Sequence, residues 1–135
     1  TIEFYEGARA HEARYREHGE RLEHLGVLVR DGLQMPASRY EAARARIAEL
    51  RERVAAMHAA APVILVPAAT GPAPRGFALT GDARMNSPWT ALGTPAITIP
   101  MPVGGALPLG LQLTADPGQD ARLLRAAVRV ESLLT

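Results

Sequence analysis

Val63-Ile64-Leu65-Val66-Pro67 divides the chain into two regimes. Four apolar, mostly β-branched residues closed by a proline read as a short strand, of the kind buried on both faces of a sheet covered by helices. Ala96-Ile97-Thr98-Ile99, closed by Pro100, is a second run of the same kind. In Leu109-Gly110-Leu111-Gln112-Leu113-Thr114 the leucines alternate with smaller or polar residues, which predicts a third strand with one apolar and one less apolar face. Gly104-Gly105 supplies the turn before it. Asp116-Pro117 followed by Gln119 reads as a helix cap with proline in the first turn. The helix then runs to about Leu134, with Leu124, Ala127, Val128 and Glu131 at helical spacing.

Upstream of Pro62 the pattern is helical. The first 61 residues hold ten of the fifteen Arg and one of the eleven Pro, Pro36. Charged and apolar residues mix from Glu3 to about Leu28, predicting a long helix broken near Gly19 and ended by Gly32. Ser38 and Glu41 form a capping box for a second helix. Its apolar positions Tyr40, Ala43, Ile47, Leu50, Val54 and Met57 alternate spacings of three and four and so share one stripe. Glu49 and Arg53 make a favourable pair one turn apart. The short connection from Gly32 to Ala37 folds the two helices into an antiparallel pair. At 135 residues one domain is expected, with a helical part at 1–61 and a strand, loop and helix part at 62–135, an α/β layout.

Composition excludes several chemistries. All fifteen basic residues are Arg, so no lysine base, Schiff base or phosphate-loop lysine is available. The absence of Cys removes thiol catalysis, disulfides and cysteine zinc sites. A net charge of +1 with interleaved signs argues against nucleic acid as a partner. No apolar run approaches the roughly 20 residues of a membrane helix, and the opening Thr1-Ile2-Glu3 has no signal pattern. A cytoplasmic protein with no membrane partner is the expectation. An opening without Met, directly in a helical pattern, leads to the further expectation that this is a segment of a longer protein.

Ala68 to Ser87 is the longest stretch without periodicity, and loops of that length in compact domains are functional or disordered. Phe77, Leu79, Met85 and Trp89 favour the functional reading. His11 and His18 lie about 10 Å apart along a helix axis and do not share one metal ion without a break. His24 and His58 have no neighbouring ligand pattern. Gly71 to Gly76 is followed by Phe77 and Ala78 where a phosphate loop needs lysine and a hydroxyl residue. Asp82 after Thr80-Gly81 reads as a turn residue bonded to its own backbone. Asn86 and Trp89 are a candidate pocket pair, an amide to orient a substrate and an indole to stack on it, with Trp89 as core filler the competing reading.

The order Val63-Ile64-Leu65-Val66-Pro67-Ala68, Ala73-Pro74, Thr80-Gly81-Asp82, Asn86, Trp89-Thr90, Leu92-Gly93-Thr94-Pro95-Ala96, Leu107-Pro108-Leu109-Gly110-Leu111-Gln112-Leu113 and Asp120-Ala121-Arg122-Leu123-Leu124 up to Glu131 resembles the closing segment of the amidase signature family. The resemblance implies an amide hydrolase with a Ser, cis-Ser, Lys triad in a large mixed sheet flanked by helices. This chain would supply about three strands of that sheet, a C-terminal helix and one wall of the cleft. The family's Gly- and Ser-rich signature precedes the matched segment and is absent here. Ser38, Ser87 and Ser132 are the only serines, none in a Gly-rich setting. No catalytic residue, cofactor or metal is therefore assigned to the chain, which alone is expected to be inactive. Asn86, Trp89 and Thr90 are assigned to substrate binding and expected to face one side of the cleft. The expected partners are a small-molecule amide and the missing N-terminal part of the same protein. An uncovered aliphatic sheet face invites self-association into a homo-oligomer. The alternatives are the A subunit of a glutamyl-tRNA amidotransferase, disfavoured by Trp89-Thr90, and a non-enzymatic helical interaction module using the Tyr40 to Met57 stripe.

Overall fold

The computed structural model describes residues 1–76, 80–104 and 107–134, and of Glu20 the backbone alone. Phe77 and Leu79, invoked above for the loop, and Gly105 of the expected Gly104-Gly105 turn lie outside the described residues. The chain forms two compact units, Thr1–Glu49 and Leu50–Thr135. Their boundary falls inside a single helix.

In the first unit, the long helix predicted from Glu3 to Leu28 is broken near Gly19, as expected, into two. Helix α1 spans Ile2–His18, a 3-10 turn covers Gly19–Leu22, and α2 spans Glu23–Leu33. The break lies where Gly19 takes φ 54° and Glu23 φ 44°, left-handed values that no helix interior accepts. The packed antiparallel pair is therefore α1 on α2, not the two segments flanking Gly32. The helix ends at Leu33, one residue past Gly32, which lies in its last turn and is not a left-handed cap. Gly32 is buried within α2 against Phe4 and Ala8 of α1. Gly7 likewise faces Leu28, and Gly26 faces Tyr15 and the carbonyl of Gly19. These glycines, weak points of a helix by propensity, are contact points around the fully buried Ala8 and Val29, and at Gly32 the two backbones themselves approach closely.

Helix α3, Ala37–Ala60, follows. Ser38 lies inside its first turn, so the capping box is not formed as predicted. Instead the carbonyl of Pro36 accepts from the Arg39 amide at 3.1 Å. Tyr40, Ala43, Ile47, Leu50 and Val54 are half-buried along a helix whose other residues up to Met57 are exposed, Met57 itself by 52%. Tyr40 stacks on Tyr5 with ring centroids 4.2 Å apart. Its phenol donates to Glu6, and that hydrogen bond raises its pKa above the usual phenol value. Glu49 pairs with Arg46 at 2.6 Å rather than with Arg53, since residues three apart are also neighbours on a helix. In the last turn His58 is buried, and both ring nitrogens lack a hydrogen-bond partner among the described residues.

The second unit holds the sheet. Strands β1 (Val63–Pro67), β2 (Ala96–Met101) and β3 (Leu109–Ala115) are ordered β1-β3-β2, both neighbours antiparallel to β3. Leu65, Leu113 and Ile97 face one another across it. The prolines that close the two apolar runs end β1 and lie near the end of β2, the outer strands of the three, where a missing amide costs no ladder bond. The burial expected for β1 and β2 belongs instead to β3. Gln112, Leu113, Thr114 and Ala115 are all buried, so both faces of the central strand are covered, whereas Leu65 in β1 is 49% exposed. After a turn in which Gln119 donates to the Asp116 carbonyl, helix α5 spans Asp120–Leu134. The Asp116-Pro117 pair thus precedes the helix rather than capping it. Its inner face is Leu123 and Ala127, with Ala126, Val130 and Leu134, packed on Ile99, Leu113 and Ala115. Leu124 and Val128 point to solvent, contrary to the predicted stripe.

Candidate functional site

An open cleft of about 890 Å³ lies where β1 ends, β2 ends and β3 begins, closed on its other side by the irregular segment between β1 and α4 (Ser87–Leu92). Val66, Pro67 and Gly110 line it from the sheet, and Thr70, Asp82 and Asn86 from the segment. The sequence forces this close approach. Gly110 has no side chain, and an added Cβ would lie 2.5 Å from Thr98 Cγ2 and 2.8 Å from Ala68 Cβ. The bare strand lets the chain leaving β1 lie directly on it, with the Ala68 amide donating to the Gly110 carbonyl at 2.9 Å.

Asn86 is held in this wall by a directional relay. The Ala68 carbonyl only accepts, so the Asn86 amide nitrogen must face it, at 3.2 Å. That turns Asn86 Oδ1 toward Gln112, whose amide nitrogen donates to it at 2.6 Å. Gln112 is buried, Asn86 is exposed, and Gln112 Oε1 is left without a partner among the described residues. After these bonds Asn86, exposed in the cleft lining, retains one N–H and one lone pair on Oδ1, a complementary donor and acceptor.

Asp82 is the turn residue that its surroundings suggested. Its side chain accepts from the Arg84 amide at 2.8 Å and pairs with the Arg84 guanidinium at 2.7 Å, capping the 3-10 turn Ala83–Met85. Trp89 and Thr90 sit on α4 and do not line this cleft, so of the three expected site residues the structure brings only Asn86 to it. Trp89 is half-buried and Thr90 exposed. The end of α4 is fixed by Gly93 at φ 73° and by Thr94, whose hydroxyl donates to the Trp89 carbonyl. Arg51 on α3 donates to the carbonyls of Leu92 at 2.9 Å and Ala91 at 3.4 Å, capping α4 from outside. Arg51→Met keeps the aliphatic stem and removes the cap. We expect a loss of about 1 kcal/mol in a thermal melt and faster amide exchange at Gly93 and Thr94; unchanged exchange there would show that α4 needs no such anchor.

Gln112 and Arg51 carry the arrangement and were not singled out by the sequence. Gln112 has a legible signal as the one amide in an apolar strand, but its partner is 26 residues away. No catalytic constellation assembles from the serines. Ser132 donates to the Arg129 carbonyl, Ser87 opens α4 and Ser38 lies in the first turn of α3. Among the described residues no helix is long and apolar enough to cross a membrane.

The family model described as Amidase matches residues 8–124. No curated protein matches the chain. Among solved structures, one described as "Crystal structure of amidase" is similar over 98% of this chain, with a TM-score of 0.87 and 25% identity. This chain covers 33% of that structure, about a third of its length.

Proposed function

This chain belongs to the amidase family, and we propose that it forms the C-terminal part of an enzyme hydrolysing the C–N bond of a small carboxamide. The Ser, cis-Ser, Lys residues of such a mechanism belong to a part of the fold outside this chain, which contains no Lys. The chain's task is binding. The observation that carries this reading is Asn86, anchored on the Ala68 carbonyl and Gln112 in the lining of a mostly apolar cleft, with one donor and one acceptor unused. A carboxamide presents the matching acceptor and donor, so one anchored side chain both holds and orients it. Trp89 and Thr90 do not line this cleft; they sit on the helix that follows Asn86 directly, and on this reading they reach the substrate only in the complete fold.

The test is Trp89→Ala in the complete polypeptide. A wall residue contributes to binding along the whole reaction path, so KM and selectivity among amides should shift while the melting temperature holds. A stability loss of about 3–5 kcal/mol with unchanged selectivity would identify Trp89 as core filler instead.

A further inference from the structure

We propose that the groove between β1 and α5 is a docking surface for an acidic amphipathic helix, supplied by the part of the amidase fold that lies outside this chain. This rests on the reading of the chain as one part of a larger enzyme.

Helix α5 packs over β2 and β3 and reaches only Val63 of β1, leaving Leu65 uncovered. Leu113 on β3 is fully buried beneath it, while its register partner Leu65 on β1 is 49% exposed. The step between them is a groove of about 380 Å³. Val63, Leu65 and Leu113 form its floor, and Ala126 and Val130 of α5 its apolar wall. The same wall carries Arg122, Arg125 and Arg129. Spacings of three and four place the three guanidinia in a row on one flank of the helix. Among the described residues none of them is in an ion pair.

Three like charges along an apolar trough repel one another and are in no ion pair among the described residues, so the complementary surface is apolar with a row of carboxylates. A helix laid beside α5 satisfies both demands. It covers the β1 face as α5 covers β2 and β3, and Asp or Glu at spacings of three and four meets the arginine row. The source follows from extent: the chain superposes on an amidase with a TM-score of 0.87 yet covers 33% of it, so most of that fold remains to be packed on these strands.

The test is arginine modification by phenylglyoxal, mapped by mass spectrometry on the 135-residue chain and on the complete polypeptide its gene encodes. The proposal expects all three arginines to react in the isolated chain and to lose reactivity in the complete polypeptide. It also expects the Arg122→Glu, Arg125→Glu, Arg129→Glu triple variant to lower the melting temperature of the complete polypeptide and not of the isolated chain. Undiminished reactivity in the complete polypeptide overturns it. So does a gene that ends with these residues, or protection of the isolated chain that rises with its concentration, which would make a second copy the occupant. Amide hydrolysis measured on the same samples separates the two readings: protection without hydrolysis would sink the enzymatic proposal alone, and hydrolysis with reactive arginines the docking proposal alone.

Discussion

Gly32→Ala is expected to open the α1–α2 pair and to destabilise the Thr1–Glu49 unit by about 3 kcal/mol, the upper end of ordinary overpacking. The added methyl would stand 2.0 Å from the Phe4 carbonyl oxygen and 2.6 Å from Ala8 Cβ. Backbone cannot rotate away as a side chain can, so the two helices must separate and expose Ala8 and Val29, now fully buried. The matched control is Gly26→Ala, whose new methyl meets nothing nearer than 3.5 Å. There, improved helix propensity should leave stability equal or raise it by about 0.5–1 kcal/mol. Hydrogen exchange across α1 and α2 reads both variants. Equal protection in the two would show that close packing at Gly32 is not what holds the pair.

The second large effect is expected at the cleft. Gly110→Ala drives a methyl into Thr98, whose β-branched side chain has little rotamer freedom in a strand, and into Ala68, fixed by the hydrogen bond its amide donates to the Gly110 carbonyl. We expect a loss of about 1–3 kcal/mol and displacement of Ala68 from β3. Because Ala68 also anchors Asn86, the relay should break with it, seen as faster exchange of the Ala68 amide and a shifted side-chain amide signal for Asn86. Retention of both signals would contradict the account of Asn86 as anchored through this contact.

The strands were legible because short apolar runs closed by proline have few alternatives, and their bounds moved by one or two residues only where Pro67, Pro100 and Ala115 continue the pairing. Which strand is central was not legible. Alternation in Leu109 to Thr114 reports chemical contrast, whereas the covering of Gln112 and Thr114 comes from segments distant in sequence. The glycines misled for a related reason. Propensity treats Gly7, Gly26 and Gly32 as weak points of a helix, yet a surface without side chains is also what two helices need to approach closely, and of the glycines between Ile2 and Leu33 only Gly19 takes a left-handed φ. On α5, Leu124 and Val128 share helical spacing with the buried residues but fall outside their face. Of the candidate site, Asn86 was readable as a polar residue in a long loop. Its anchors Ala68 and Gln112 are 18 and 26 residues away and have no local signature.

The most direct measurement of the central claim is ammonia release from a panel of small aliphatic and aromatic carboxamides, by the 135-residue chain and by the complete polypeptide at equal concentration. The account predicts no release above background by the chain, which has no lysine and no serine in a nucleophile setting, and steady turnover by the complete polypeptide. Turnover by the isolated chain that Ser87→Ala abolishes would contradict it, as would a complete polypeptide that leaves every amide of the panel intact.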